Sequence, residues 1–194
     1  RAEEKRAWQL NPDVPLIVVT GGGLGATRIN NAVIAQQNEL TKNASVILVS
    51  GTAQYDELTA RVDSKNDSFQ LHAFTTEMPS LLRAADIVVA RAGATTILEL
   101  AALHMPTILV PNARLTGGHQ VKNAAVYSEA NAVVLLDEEV MAQSTELTDT
   151  VYRIIADKEG SRAMGERFGV FARPNAAHDM ADMIEAAVIQ GAKE

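Results

Sequence analysis

The sequence predicts an α/β fold, a doubly wound, Rossmann-like parallel sheet of about six strands with helices on both faces. Two observations carry this prediction: short apolar runs recur along the chain, and segments with helical spacing separate them. Apolar residues at consecutive positions are typical of strands that are buried on both faces. Strands that alternate with helices form right-handed crossovers and therefore a parallel sheet.

Each element follows from one of these runs. The predicted strands are Leu16–Thr20, Ser45–Ser50, Phe69–Ala73, Asp86–Ala90, Thr107–Pro111 and Ala132–Leu136. The predicted helices between them are Thr27–Leu40, Tyr55–Arg61, Met78–Ala84, Thr95–His104 and His119–Glu129. After the last strand the spacing is helical only, with helices expected at Thr145–Ala156, Ser161–Phe168 and Ala176–Gln190. We predict one domain over residues 16–194, and a polar linker from a missing N-terminal domain over residues 1–15.

Composition excludes several classes of protein. The formal net charge of -7 leaves no basic face for a nucleic-acid backbone, so no nucleic-acid partner is expected. Without cysteine the chain has no disulfide and no thiolate metal site, which fits a cytoplasmic protein. The longest apolar runs are far shorter than the ~20 residues of a membrane-spanning helix.

A glycine-rich loop follows the first predicted strand. Residues 20–26 read Thr-Gly-Gly-Gly-Leu-Gly-Ala and lead into a helix. Backbone N–H groups and the helix dipole suit a phosphate there, but glycines also serve tight turns, so both interpretations stay open. A Walker loop is excluded because no Gly-Lys-Ser or Gly-Lys-Thr follows. NAD binding is disfavoured because the second strand ends in Ser50, Gly51 and Thr52, without a ribose-binding acid.

The loop after the fourth strand is the most informative stretch. Residues 91–99 read Arg-Ala-Gly-Ala-Thr-Thr-Ile-Leu-Glu. Thr95 and Thr96 bring hydroxyl and amide groups to the helix start, and Glu99 lies one turn later on the same face. This geometry suits a nucleoside diphosphate, with ribose on the carboxylate. Thr96 and Glu99 also fit a capping box, and Arg91 fits either a phosphate contact or an anchor for loop carbonyls.

Two further groups of side chains are interpreted as structural. His72, His104 and His178 have no second metal ligand at suitable spacing, so no metal site is expected. The acidic run Asp137–Glu139 is interpreted as a solvated turn.

With a third segment, these loops resemble a known family. Residues 21–26, residues 91–99, Pro106 and residues 119–124 (His-Gln-Val-Lys-Asn-Ala) occur in the order and approximate spacing of the MurG family. Its members are undecaprenyl-pyrophosphoryl-MurNAc-pentapeptide N-acetylglucosaminyltransferases of glycosyltransferase family 28. The resemblance starts at about Leu16 and matches the family's C-terminal domain. It implies one half of a GT-B fold, with UDP-GlcNAc as the donor.

The resemblance also implies roles for single residues. The amides expected to face the pyrophosphate belong to Gly21, Gly22, Gly23, Gly25, Thr95 and Thr96. Glu99 is expected to hold the ribose hydroxyls, and Phe74 and Thr75 to frame uracil. The residues expected near the sugar are Ala94, Gln120 and Asn123. His119 contacts the sugar or the departing phosphate, or it is an exposed residue at a helix start. The family often has Ser in place of Gly23, so only backbone contacts are expected there.

The reaction that the resemblance implies is inverting transfer of GlcNAc from UDP to lipid-linked MurNAc, which makes lipid II for peptidoglycan. The acceptor site, the membrane contact and the general base are expected in an N-terminal domain, so no catalytic residue is assigned. The chain is expected to bind donor without turnover and without a metal, and the full enzyme to act at the cytoplasmic face of the membrane. The alternatives are the donor subunit of a split two-polypeptide GlcNAc transferase, a domain of a UDP-GlcNAc 2-epimerase and, last, an NAD-binding domain.

Overall fold

The computed structural model describes residues 1–22, 26–113 and 118–191. Its six strands are β1 (Leu16–Thr20), β2 (Ser45–Val49), β3 (Phe69–His72), β4 (Ile87–Ala90), β5 (Thr107–Leu109) and β6 (Val134–Leu135). They form one sheet in the order β3-β2-β1-β4-β5-β6, and every neighbouring pair is parallel. The predicted fold class is therefore confirmed, and each of the six predicted strands is present within a few residues.

Helices connect the strands and extend beyond the last of them. They are α1 (Ala2–Ala7), α2 (Thr27–Ala35), α3 (Gln37–Leu40), α4 (Thr52–Thr59), α5 (Met78–Ala84), α6 (Ala94–Ala102), α7 (His119–Glu129), α8 (Glu138–Gln143), α9 (Glu146–Ala156), α10 (Lys158–Gly169) and α11 (Ala176–Gly191). None of the helices in the described ranges combines the length and the apolar character that crossing a membrane requires.

The sheet lies between two apolar layers. Every residue of β1 is buried, and alternate side chains enter opposite layers. Ile17 and Val19 pack in the layer that holds α2 and α9, whereas Val18 packs in the layer that holds α5 and α6. Burial on both faces explains why the strands read as continuous apolar runs.

The first fifteen residues contain a helix that sequence analysis did not predict. Helix α1 packs against α5, and the side chain of Lys5, a residue of α1, is buried. The Lys5 ammonium donates to Asp86 Oδ2 at 2.6 Å and to the carbonyl of Val14 at 2.7 Å. The same carboxylate oxygen accepts from the N–H of Leu16 at 2.8 Å, at the start of β1. The segment is thus tied to the sheet, and its role as a linker stays a prediction.

Candidate functional site

The candidate site is a cavity of about 390 Å³ at the carboxyl edge of the sheet. Its walls come from the segments that follow β1, β2, β3 and β4. The lining residues are Thr20, Gly22, Val49, Gly51, Thr52, Ala73, Phe74, Thr75, Met78, Leu82, Thr95, Thr96 and Glu99. The strand order reverses between β1 and β4, and ligands of open parallel sheets bind at this switch point.

One wall joins the glycine loop to the start of α6. Gly22 has a φ of 69°, a conformation that favours glycine. A Cβ added to Gly22 would lie 3.7 Å from the hydroxyl oxygen of Thr96, so the two loops approach each other closely. Helix α6 has Gly93 as its N-cap and no side-chain cap hydrogen bond. The N–H groups of its first turn, including those of Thr95 and Thr96, therefore have no partner within the helix.

The same geometry corrects the capping-box interpretation. In a capping box the Ser or Thr is the N-cap and the acid is the third helical residue. Thr96 is instead the third residue of α6, and Glu99 is one turn further into the helix. Neither side chain caps this helix, so both are available to the cavity that they line.

Glu99 supplies the carboxylate of the cavity. The side chain is exposed, and within the described ranges it forms no hydrogen bond or ion pair. A carboxylate offers two acceptor oxygens and can hold a pair of neighbouring hydroxyl groups.

The opposite wall is largely apolar and follows β3. Phe74 is 71% exposed, and Met78 and Leu82 belong to the same lining. The hydroxyl of Thr75 accepts a hydrogen bond from the N–H of Glu77 at 3.0 Å, immediately before α5. The hydroxyl holds this turn as an acceptor and keeps its O–H as a donor.

Sequence analysis missed the wall that follows β2. Val49, Gly51 and Thr52 line the cavity, and Gly51 has a φ of 81° at the N-cap of α4. The signal was present in the sequence, because Ser50 to Thr52 end a buried strand at the same edge as the glycine loop. The segment was considered only as evidence against NAD.

Five of the predicted residues that the structure describes lie outside the cavity lining. Gly21 is buried, and Ala94, His119 and Asn123 are exposed outside the lining. The side-chain oxygen of Gln120 accepts from the N–H of Asn112 at 2.9 Å, which ties α7 to the segment after β5. Gly23 and Gly25 lie outside the described residues. The roles of these residues stay predictions.

Arg91 is a structural anchor and lies outside the lining. Its guanidinium donates to the carbonyl of Val110 at 3.1 Å and forms a buried ion pair with Glu138. Glu138 is only 7% exposed, and Asp137 caps α8 by accepting from the N–H groups of Glu139 and Val140. The interpretation of Asp137–Glu139 as a solvated turn was therefore wrong.

The described residues contain no group of three or more histidines and acids close enough to hold a metal ion. His72 is the histidine nearest the cavity in sequence, since it precedes Ala73 and Phe74. Burial lowers the pKa of its ring, whose Nε2 lies 3.2 Å from the side-chain oxygen of Gln70.

Comparison with known proteins gives concordant results. A curated relative from Exiguobacterium sibiricum is 36% identical over 181 residues, which cover 93% of this chain and 49% of the relative. One from Bacillus subtilis is 33% identical over 179 residues, covering 91% and 49%. Both are named UDP-N-acetylglucosamine–N-acetylmuramyl-(pentapeptide) pyrophosphoryl-undecaprenol N-acetylglucosamine transferase. The chain spans about half the length of these relatives.

Solved structures share the fold. The crystal structure of Acinetobacter baumannii MurG has a TM-score of 0.76 at 21% identity, covering 90% of this chain and 52% of that one. The C-terminal CMP-Kdo binding domain of WaaA from the same organism has a TM-score of 0.63 at 14% identity, covering 86% and 93%. These similarities identify the sheet and its helices as those of a GT-B half.

A family model supplies the assignment. The glycosyltransferase family 28 C-terminal domain matches residues 16–183, most of the chain. This match favours a transferase over the epimerase and the NAD-binding domain considered above. The chain belongs to glycosyltransferase family 28, and the part of the family that it matches is the C-terminal domain.

Proposed function

We propose that the chain is the UDP-GlcNAc-binding half of an inverting N-acetylglucosaminyltransferase that makes lipid II for peptidoglycan. The observation that carries the proposal is the cavity at the switch point. It combines an exposed aromatic ring, an uncapped helix start and a free carboxylate within about 390 Å³. A nucleoside diphosphate has a flat base, a pair of ribose hydroxyls and two phosphates, and each finds suitable chemistry in a different part of the cavity.

The phosphates belong at the junction of Gly22 with the start of α6. Unpaired N–H groups and the positive end of the helix dipole favour negative charge there. Gly21, Gly23 and Gly25 extend this amide-rich loop in the sequence. The side chain of Thr96, beside Gly22, adds a hydroxyl donor.

The base belongs on the wall that follows β3, and the ribose belongs one turn further along α6 than the phosphates. Uracil would stack beside Phe74 and meet the backbone of Thr75. Glu99 would accept hydrogen bonds from the ribose hydroxyls. The sugar would then extend beyond the cavity toward Ala94 and the start of α7. Within the described residues, the side-chain nitrogen of Gln120 forms no hydrogen bond. It would therefore be available as a donor to the sugar, near His119 and Asn123.

In the reaction, the bond from the anomeric carbon of GlcNAc to the UDP oxygen breaks. A bond to the C4 hydroxyl oxygen of the lipid-linked MurNAc forms on the opposite face. The hydroxyl proton passes to a general base, and the departing oxygen of UDP gains negative charge. The chain stabilises that charge through the uncapped start of α6, since fixed dipoles in a cavity act without reorganisation. The base belongs to the acceptor half.

The expected partners follow from the assignment of donor binding to this chain and of acceptor binding to another domain. The chain would work with an N-terminal acceptor domain, which holds the lipid-linked substrate at the cytoplasmic face of the membrane. The donor half needs no metal under this proposal, because amide groups and a helix dipole stabilise the charge of the diphosphate.

The experiment is isothermal titration of the full chain with UDP and UDP-GlcNAc, with Glu99→Gln and a control Glu129→Gln. Glu129 is exposed at the end of α7 and outside the cavity. Glu99→Gln is expected to weaken binding about 10- to 100-fold, because a hydrogen bond to a charged group contributes ~1.5–3 kcal/mol. Glu129→Gln is expected to bind like wild type. Absence of uridine nucleotide binding, or equal affinity in both variants, would overturn the proposal.

A further inference from the structure

Asn30 links two walls of the cavity without lining it. It lies on α2, the helix that follows the glycine loop, and its side chain is completely buried. Its amide nitrogen donates to the carbonyl of Ser50 at 2.9 Å and to the side-chain oxygen of Gln54 at 2.8 Å. Ser50 lies in the turn between β2 and α4, and Gln54 lies in the first turn of α4. One side chain therefore fastens this turn and the start of α4 to the glycine-loop helix.

The turn that Asn30 holds is the wall that follows β2. The Ser50 hydroxyl oxygen lies 3.1 Å from the carbonyl oxygen of Gly51 and 3.3 Å from that of His72, and these two acceptors share its one proton. Gly51 adopts a left-handed φ of 81°, and the next residue, Thr52, opens α4 at the cavity. The position of this wall thus depends on Ser50, whose carbonyl accepts the hydrogen bond from the Asn30 amide.

Asn30 holds this turn at a cost in stability. Its side-chain oxygen is the one buried side-chain oxygen or nitrogen in the described ranges without a hydrogen-bond partner. A buried polar atom without a partner lowers stability, and most buried polar groups avoid that state. Such an atom in a native structure calls for an explanation, and holding one wall of the cavity in place supplies it.

We propose that Asn30 is a positioning residue for donor binding. It fixes Gly51 and Thr52 relative to Gly22, so that the walls from β1 and β2 keep one spacing when the nucleotide enters. The proposal rests on the proposed function of the cavity. Removing the side chain should weaken nucleotide binding although no atom of Asn30 lines the cavity.

The test compares Asn30→Ala with Asn31→Ala by titration of the full chain with UDP. Asn31 is the next residue of α2, accepts from Arg61 at 2.6 Å and lines a different cavity. Asn30→Ala is expected to weaken UDP binding about tenfold, because small displacements of a binding wall carry large penalties. Asn31→Ala is expected to stay within about twofold of wild type.

A coupling measurement separates positioning from general loss of structure. Thr52→Ala should weaken UDP binding several-fold in the wild-type background and have little effect when Asn30 is already Ala, because residues that act through one wall are not additive. Equal effects of Thr52→Ala in both backgrounds would overturn the proposal. If Asn30→Ala does not fold, Gln54→Ala removes one of the two acceptors at a partly exposed position. Its binding should fall about threefold, and unchanged binding would overturn the proposal.

The wild-type titration distinguishes a failure of the role proposed for Asn30 from a failure of the function proposed for the cavity. If wild type binds UDP and Asn30→Ala matches Asn31→Ala, only the role of Asn30 is wrong. If wild type binds no uridine nucleotide, the function proposed for the cavity is wrong, and the role of Asn30 in donor binding fails with it.

Discussion

Arg91 follows a strand that ends at the cavity, yet its guanidinium pairs with a buried carboxylate and does not face the cavity. The buried pair of Arg91 and Glu138 joins the end of β4 to α8, and Arg28 lies 3.6 Å from the same carboxylate. Anchoring of this kind orients the loop that continues into α6. The described residues that line the cavity include no Lys or Arg, so a diphosphate bound there would depend on amide groups.

Replacement of Arg91 should destabilise the chain strongly. Arg91→Ala leaves Glu138 buried without its main partner, and we expect the free energy of unfolding in urea to fall by about 3–5 kcal/mol. The double variant with Met at both positions should recover most of this loss, since an apolar pair needs no charge compensation. Arg162→Ala, which breaks a surface pair at 3.7 Å, should cost less than about 1 kcal/mol. A double variant no more stable than Arg91→Ala would contradict this account.

His72 should make stability depend on pH. Its folded-state pKa is lowered by burial from 6.5, and the Trp8 ring packs edge-on against it with centroids 5.5 Å apart. The unfolded chain therefore takes up a proton at a higher pH than the folded chain. The stability from the neutral ring is complete above the unfolded pKa and is lost as the pH falls below it.

The measurement is the free energy of unfolding between about pH 7.5 and about pH 5.5, the window around the unfolded pKa. We expect it to fall with pH in wild type and to fall less in His72→Asn. His178→Asn changes an exposed histidine and should keep the wild-type slope. An equal slope in the wild type and His72→Asn would refute the assignment.

Part of the candidate site was predictable residue by residue. Residues predicted from sequence line the cavity, among them Gly22, Phe74, Thr75 and Glu99. They were predictable because motifs that follow parallel strands all lie at the carboxyl edge of the sheet. The hydrogen bond from the N–H of Asn112 to the side chain of Gln120 was not predictable. It depends on where a side chain points after the chain has folded, and residue spacing does not encode that.

At the scale of elements, sequence predicted what the hydrophobic pattern dictates. All six strands are buried apolar runs, and α9 has a pronounced apolar face with Leu147, Val151 and Ile154 buried. Helices α1 and α8 were missed because they are six residues long and rich in charge. Their stability comes from tertiary contacts such as those of Lys5 and Glu138, and a propensity-based analysis does not include such contacts.

Helix α10 offers a test of packing between elements. Gly165 is buried, and a Cβ added there would overlap the backbone carbonyl oxygen of His104, after α6. Gly165→Ala should therefore lower the free energy of unfolding by about 1–3 kcal/mol, since backbone must move to make room. Glu166→Ala on the exposed side of α10 should change it by less than about 0.5 kcal/mol. Thermal unfolding of both variants provides the measurement, and equal midpoints would refute the close contact.

For the whole molecule, the strand order determines where chemistry can occur. The reversal between β1 and β4 brings the glycine loop and the start of α6 to one point, and the flanking segments after β2 and β3 complete the cavity. The chain also spans about half the length of its curated relatives. Donor binding and sugar transfer should therefore be separable properties.

We expect the chain to bind UDP-GlcNAc and to transfer no GlcNAc to a lipid-linked MurNAc acceptor by itself. Addition of an acceptor half from a curated relative should restore transfer, whether the natural arrangement is one polypeptide or two. The measurement is release of UDP with and without that half. Transfer by the chain alone would show that it carries a general base and would contradict the division proposed above.

The most direct measurement is a crystal structure of the full chain with UDP-GlcNAc bound. The account predicts the diphosphate between Gly22 and the start of α6, the ribose hydroxyls on Glu99 and the uracil beside Phe74. A nucleotide bound elsewhere, such as the cavity between Arg28 and Arg61, would contradict the assignment of the site.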